Sequence, residues 1–406
     1  MGRRVEGVDV ARGVASLIMI QGHAYHGWVA PAHHDAAYAF TRVLGTLPLP
    51  AFLVLAGAAV MWRLDAAVRR GEERPTVRRA LVRRGLQVVA YGYAVNLAYA
   101  LIDGAEGLHT YLRADVLQVI GLSIAAAAAL GLRGEGPVDP RAFVRRNLLL
   151  GAAVTLACPA LARLGPHVPE ALAPLVAPVV DVAPYTRMPF VPLFAWLAFG
   201  AAAGAWLLAR RDGTPASRRA GTRPSALLAL GALGLALALA GHYGTPALVD
   251  ALGGTLSRRH PAVWLNVLDL AGRGLLVLAA GAGLSLALPA APRRALVRLG
   301  RGSLVAYVLH VPFCYGVLGG DLVGGADMAR ATLWLGPLIA FSWGAVYVRD
   351  ALRDRLAPRR RLNGEVLRGH RRRPRRSCRA RPRRAPRSGA RGARARPRWA
   401  RGSGSG

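Results

Sequence analysis

Cysteine and acidic residues are both scarce in this chain, and each shortage removes a class of answer. Three cysteines, Cys158, Cys314 and Cys378, are scattered through 406 residues. They cannot frame a disulfide scaffold and show no zinc-like spacing, so no metal is expected and all three are read as structural or incidental. Apolar and polar residues do not alternate as in a membrane β-barrel. Nor do the two halves of the chain show a convincing repeat of the kind that transporters often carry. Aspartate and glutamate number 21 against 54 basic residues, a formal charge of +33. Much of that excess is local: nineteen arginines and one acid, Glu365, lie between Arg359 and Arg401. This tail supplies about +18 and leaves about +15 for the rest of the chain. With no aromatic stacking pattern and no reading module, no specific nucleic-acid partner is expected.

What the chain has in quantity is apolar length. It is 53% hydrophobic, with a mean hydropathy of +0.30. The apolar residues fall into runs of about 18 to 22, the length that spans a bilayer at about 1.5 Å per helical residue. Ten spans are predicted, near residues 12–30, 43–62, 85–102, 115–132, 147–165, 189–209, 225–243, 262–286, 303–320 and 331–348. The fold class read from this is an all-α, polytopic integral membrane protein with membrane lipid as its surroundings. Arginine-rich loops alternate with arginine-poor ones, and cytoplasmic loops retain arginine. Arg3 and Arg4, "RLDAAVRRGEERPTVRRALVRR", Arg133 to Arg146, "RRDGTPASRR", "PRRALVRLGR" and the tail all fall on one side. Both termini are therefore expected in the cytoplasm, with the pair Arg258 and Arg259 as the awkward exception.

A membrane domain over residues 1–350 and an arginine-rich tail over 351–406 are expected. The tail has too few apolar residues to offset its ordering entropy and is expected to be disordered. It holds anionic lipid heads, makes nonspecific nucleic-acid contact, or is an extension with no role of its own. The N-terminus has some features of a signal peptide, ending in "APA" at Ala30 to Ala32, but Asp9, Arg12, His23, His26 and Trp28 interrupt it, and cleavage is not expected.

The first span carries the chemistry. Eleven residues turn a helix through about 1100°, so Arg12 and His23 share a face, about 16 Å apart along the axis. Asp9, Ser16, Met19 and His26 extend that face into a polar stripe. Ionisable groups at the bilayer centre cost at least about 2.5 kcal/mol, so the stripe must face protein or water. A ligand gripping both ends would carry an anionic head in the cytoplasm and a reactive end in the membrane, as acyl-coenzyme A does. Arginine suits its phosphates, and neutral histidine suits proton abstraction from a hydroxyl or amine. A packed histidine and a topology-marking arginine remain the plainer alternative.

"RVEGVDVARGVASLIMIQGH" resembles the opening of bacterial transmembrane acyltransferases. Two related groups share it: acyltransferase-3, and the group of the heparan-alpha-glucosaminide N-acetyltransferase catalytic domain (DUF1624). "LPLPAFLVLAGAAVMW", "RADVLQVIGLSIA", "FVPLFAWLAFGAAAGAW" and "LGRGSLVAYVLHVPF", in that order, favour the second group over about residues 3–320. The usual Pro-Trp is here Ala195 followed by Trp196, and "RRALVRR" stands where acyltransferase-3 enzymes have Arg-x-x-Arg. The resemblance implies acyl transfer in a bacterial inner membrane. The donor would be a cytoplasmic acyl-CoA, with acetyl-CoA the expected one, and the acceptor a carbohydrate or glycolipid beyond the membrane. His23 would be catalytic and Arg12 would support donor binding.

Other polar positions fit around that reading. Arg79 and Arg83, with Arg78 and Arg84, flank the third span as candidates for donor phosphates, although topology signalling alone explains their charge. Asp115 and Gln118 open the fourth span and either orient the site or cap the helix. Ser303, Tyr307 and His310 share one face of the ninth span, and Trp196, Asp9 and His26 complete the supporting set. Asp269 and Arg273 stand four apart, a spacing that favours a structural pair. A secondary transporter, with His23, His26, Asp269 and Arg273 along a substrate or proton path, is the rival reading.

Overall fold

The computed structural model describes residues 5–104, 107–134, 138–251 and 264–371, without the side chains of 248–251 and 357–371. Fifteen α-helices follow one another among the described residues. The first five are α1 (Glu6–Trp28), α2 (Ala36–Gly45), α3 (Pro48–Val68), α4 (Arg74–Asp103) and α5 (Leu108–Leu112). Next come α6 (Val116–Ala126), α7 (Pro140–Ala162), α8 (Ala173–Val176), α9 (Phe190–Leu208) and α10 (Pro215–Ala220). The last are α11 (Pro224–Ala251), α12 (Trp264–Ala287), α13 (Ala290–Arg301), α14 (Ser303–Tyr315) and α15 (Met328–Arg371). The only extended pairings among these residues are two single bridges, Val29 with Ala326 and Ala114 with Thr186. Residues through Ala351 form one compact unit, and a second begins at Leu352. Arg3, Arg4, Arg258, Arg259, Cys378 and the tail from residue 372 lie outside the described residues.

A helix stands at each of the ten places where the sequence predicts a span. Among the described residues, seven segments are long and apolar enough to cross a bilayer: Ala36–Val68, Arg74–Asp103, Pro140–Ala162, Phe190–Leu208, Pro224–Ala247, Trp264–Ala287 and Met328–Leu356. Two of the remaining helices are short, α14 and α6 with the π-turn that follows it to Gly131. The third, α1, has sufficient length at 23 residues, but Glu6, Asp9, Arg12, Gln21, His23 and His26 make it too polar to qualify. Two predicted boundaries shift for local reasons. Within the Ala36–Val68 segment the second span's helix, α3, starts at Pro48 rather than residue 43, because proline fits the first turn of a helix and not its interior. The ninth stops at Tyr315, where Gly316 turns extended (φ −108°, ψ −177°) and a 3₁₀ segment, Val317–Leu322, takes over.

Packing divides these helices into centre and rim. α9 is apolar all round and buried along nearly its whole length, as such a helix must be. It crosses α3 where Gly57 and Gly200 bring the two backbones together. α4, α7 and α15 lie at the rim and turn leucines such as Leu101, Leu149 and Leu333 outward, the surface that a lipid phase would cover.

The chain direction sorts polar groups to two ends. At the end holding the start of α1, Asp9 pairs with Arg301 at 2.9 Å and Glu6 with Arg293 at 3.5 Å. Asp65 takes Arg69 at 2.9 Å and Arg211 at 3.6 Å. Glu72 takes Arg70 at 2.6 Å and Arg63 at 3.3 Å. At the end where α1 finishes, the links are hydrogen bonds between helices: Trp28 Nε1 donates to Phe313 O at 2.8 Å. Tyr25 and Thr332 hydroxyls meet at 2.8 Å, and Thr332 spends its own proton on Met328 O, so Tyr25 is the donor.

Candidate active site

His23, one turn before the end of α1, meets His310 of α14. Its Nδ1 lies 2.9 Å from His310 Nε2, and His310 Nδ1 lies 2.7 Å from Ala306 O. A carbonyl oxygen only accepts, so His310 Nδ1 carries a proton. A neutral imidazole carries one proton, which leaves His310 Nε2 as an acceptor. His23 Nδ1 must then be the donor, and neutral His23 presents a bare lone pair on Nε2. The rings are 5.1 Å apart between centroids and 19° from coplanar, an arrangement that aligns an in-plane N–H···N bond. Helix packing thus selects one tautomer of His23.

His23 opens on a cavity of about 300 Å³. α4 lines one wall with Asn96, Tyr99 and Asp103; α14 and its end line another with Tyr307 and Tyr315; Gln118 of α6 closes the floor. Gly92 is required here, since a Cβ would come within 2.7 Å of the Gln118 amide. Further along the same seam Gly85 and Gly121 pack face to face, each placing a Cβ about 2.5 to 2.6 Å from the other's carbonyl oxygen. Tyr99 donates its hydroxyl proton to Val308 O, tying α4 to α14. Asp115 and Gln118 form a reciprocal capping box at the start of α6. Asp115 Oδ1 accepts from Val116 N at 2.7 Å, and Gln118 Oε1 accepts from Asp115 N at 3.2 Å.

The predicted site residues divide into those gathered at the cavity and those placed elsewhere. His23, Asp115, Gln118 and Tyr307 line it, and His310 stands behind His23. His26 lies outward of it, its Nδ1 3.0 Å from the Tyr315 hydroxyl. Ser303 is at the opposite end of α14 and is not among the lining residues. Trp196 is buried between α9 and α12, donating to Val267 O at 3.0 Å. Asp9 is the partner of Arg301. Arg12 lies beside neither this cavity nor the groove described next; its carbonyl accepts from Ser16 Oγ at 2.8 Å. Arg79 and Arg83 line a separate open groove of about 600 Å³ with Arg78, Arg133 and Ala129. From Arg83 to Asn96 along α4 is about 20 Å, so the groove and cavity occupy different levels of one helix. Asp269 and Arg273 form a two-pronged pair, both contacts 2.7 Å, and Arg273 also donates to Thr46 Oγ1 at 2.9 Å. That pair is absent from the cavity lining, apart from the histidines with which a transport path would join it.

Several polar lining residues were not picked out from the sequence, among them Asn96, Tyr99, Asp103, Arg113, Arg187 and Tyr315. All but Tyr315 had left a signal. Arg113 and Arg187 are arginines in loops that the charge rule expects to be arginine-poor. Asn96, Tyr99 and Asp103 recur on one face of α4, a second polar stripe. Tyr315 gives no sign before α14 is folded against α1. Among the described residues, no three His, Cys, Asp or Glu side chains gather as a metal site would require.

The family model for the catalytic region of heparan-alpha-glucosaminide N-acetyltransferase matches residues 4–239, more than half of the chain. The chain belongs to this family. The match takes in His23, the α4 wall, Gln118 and both loop arginines, and stops before α14. His310, Tyr307 and Tyr315 therefore join the site through the fold, from outside the matched stretch. Among curated proteins, none matches the chain. Membership assigns acetyltransfer as the general activity and a multi-pass membrane protein as its setting.

Proposed function

We propose that this protein is a ten-span membrane acyltransferase with both termini in the cytoplasm. It takes an acetyl group from cytoplasmic acetyl-CoA and passes it to a hydroxyl or amine of a carbohydrate or glycolipid on the far side. The observation that carries this reading is the bare Nε2 of His23, its tautomer selected by His310, at a cavity of about 300 Å³. That volume is at the lower end for ligand sites and accommodates one sugar unit.

In the proposed step His23 Nε2 removes a proton from the acceptor oxygen or nitrogen, which attacks the thioester carbonyl. The carbon–sulfur bond breaks, the acetyl group stays on the acceptor, and the coenzyme thiolate leaves with the proton returned by His23. While His23 is doubly protonated, its Nδ1–H remains bonded to His310 Nε2, which orients and steadies the imidazolium. Arg79 and Arg83, with Arg78 and Arg133, suit the phosphates of the donor, because their groove holds several cations and no acid among the described residues. Arg12, which borders neither the groove nor the cavity, is assigned to supporting the donor's passage. The donor arm must pass beside the glycine seam of α4 and α6, which is packed too closely to admit it.

Radiolabelled acetyl-CoA supplied to membranes containing the full chain, with a crude saccharide extract as acceptor, tests this. Label should move to saccharide or to acetate, and His23→Ala, expressed to the same level, should abolish the transfer. Undiminished transfer by His23→Ala would show the mechanism to be wrong. Label retained on the protein in detergent would replace the base mechanism with an acyl-histidine.

A further inference from the structure

A second cavity, of about 340 Å³, shares no lining residue with the one at His23. It is a groove at the rim between α7 and α11. Gly151 lets α7 close on Phe199 of α9, and Gly234 and Gly272 bring α11 onto α12, each where a Cβ would come within 2.8 Å of its neighbour. These two tight seams leave α7 and α11 apart. Val144 and Leu148 form one wall of the groove, Leu233 and Leu237 the other, and Ala202 and Ala271 are too small to fill its floor. From Ala229 to Leu237 the groove follows α11 for about 12 Å.

Trp206 is the one lining residue whose side chain carries a polar atom. It stands near the end of α9, on the side of the bundle where α1 starts, since α10 reaches Gly7 there. The Arg210 guanidinium lies 3.8 Å over the Trp206 ring and donates to Trp206 O at 3.3 Å. Arg223 N donates to Arg210 O at 3.4 Å, so the start of α11 brings a second arginine to the same place. Arg141 and Arg145 lie on the face of α7 that carries Val144 and Leu148. Among the described residues no carboxylate pairs with any of these four arginines. The acids nearest in sequence serve backbone amides: Asp139 accepts from Arg141 N at 2.9 Å and Asp212 from Thr214 N at 3.1 Å.

Lipid tails are as apolar as leucine, so the groove by itself gains little by taking one chain over another. Selection lies in the charge at its mouth. A guanidinium stacked on an indole keeps its fork free for phosphate oxygens, and tryptophan suits the headgroup level. We propose that this groove seats an acyl chain of one anionic phospholipid, whose phosphate head is held by Arg210 with Arg145 and Arg223. The site goes beyond the acyltransferase reading and does not depend on it.

Native mass spectrometry of the full chain tests this. The protein is released from nanodiscs of equal parts phosphatidylglycerol and phosphatidylcholine with identical chains, and the lipid that stays bound is counted. One phosphatidylglycerol should be retained, at roughly tenfold over phosphatidylcholine. Arg210→Gln should lower that preference by about fivefold, whereas Arg294→Gln, on α13 at the same end of the bundle, should not change it. Leu233→Trp fills the groove and should abolish retention, with Leu333→Trp on the outward face of α15 as its control. Leu233 is 52% exposed, which leaves room for the larger ring, and Arg210→Gln reports without touching the walls if that variant fails to fold. Excess glycerol phosphate should not displace the lipid. Equal retention of the two lipids overturns the proposal. Retention that Leu233→Trp leaves unchanged does so too, and means annular lipid only. An equal loss in Arg294→Gln would reduce the site to diffuse charge, and displacement by glycerol phosphate would give the arginines to a soluble anion. A dimer that Leu233→Trp splits would give the groove to a second copy of the chain; each of these three results also overturns the proposal.

Discussion

The two ends of the helix bundle hold their polar groups in different ways. Near the start of α1 the contacts are charge pairs, some of them within a few residues, such as Arg69 with Asp65 and Arg70 with Glu72. Near its finish they are hydrogen bonds between distant helices: His23 with His310, Tyr99 with Val308, Trp28 with Phe313. Local pairs between exposed side chains set charge but contribute little to geometry. Bonds that cross between helices fix an atom's position and, for His23, its tautomer. The arginine end is suited to attracting an anion and the histidine end to carrying out a reaction. Three pairs at the arginine end also join separate elements, Asp9 with Arg301, Glu6 with Arg293 and Asp65 with Arg211, and the first two anchor the foot of α1.

This contrast implies a graded set of substitutions. His23→Ala should lower acetyl transfer by about 10²–10⁴-fold, the usual range for losing a positioned base, with normal amounts in the membrane. Gly92→Ala should come next. The new methyl meets the Gln118 amide at 2.7 Å, and overpacking of that kind costs about 1–3 kcal/mol; both thermal midpoint and turnover should fall. Gly283, with nothing within 4 Å of a built Cβ, is the control: Gly283→Ala should leave activity intact and leave the midpoint equal or higher. Arg79→Gln and Arg83→Gln should raise the apparent KM for acetyl-CoA by roughly three- to tenfold, less at high salt, with kcat little changed. A kcat effect as large as that of His23 would erase the distinction between the ends.

The smallest effect belongs to Glu72. Hydrogen bonds from Arg70 and then Arg63 hold its carboxyl below the usual carboxylate range. A lowered pKa in the folded state adds stability at neutral pH that fades as pH falls through that value. On so exposed a group the contribution is screened, and Glu72→Gln should leave activity and midpoint unchanged at neutral pH.

Much of this was visible in the sequence because membrane helices announce themselves by composition. Helices stand at all ten predicted places, and the stripe from Asp9 to His26 does turn inward over most of its length, with Asp9, Ser16 and Met19 buried. The limits are equally physical. Spacing along α1 placed Arg12 and His23 on one face, but whether a single cavity serves both depends on which helices fill the space between them. Trp196 stood in a recognisable segment and lies away from the cavity, because its indole N–H is taken by Val267 O across the interface. His310 could be placed on a helix face with Tyr307, whereas its bond to His23 joins residues 287 positions apart. Arg113 and Arg187 were legible only as violations of a charge rule, a signal that gains meaning once Ala114 and Thr186 are known to pair.

The central claim is that His310 acts through His23, and a double-mutant cycle measures it directly. Single-turnover acetyl transfer is compared for the unaltered chain, His23→Ala, His310→Ala and the double variant, with thermal midpoints recorded for each. If His310 sets the tautomer of His23, His310→Ala lowers the rate by about tenfold or more when His23 is present and has no further effect once His23 is gone. Losses that multiply in the double variant would contradict the account.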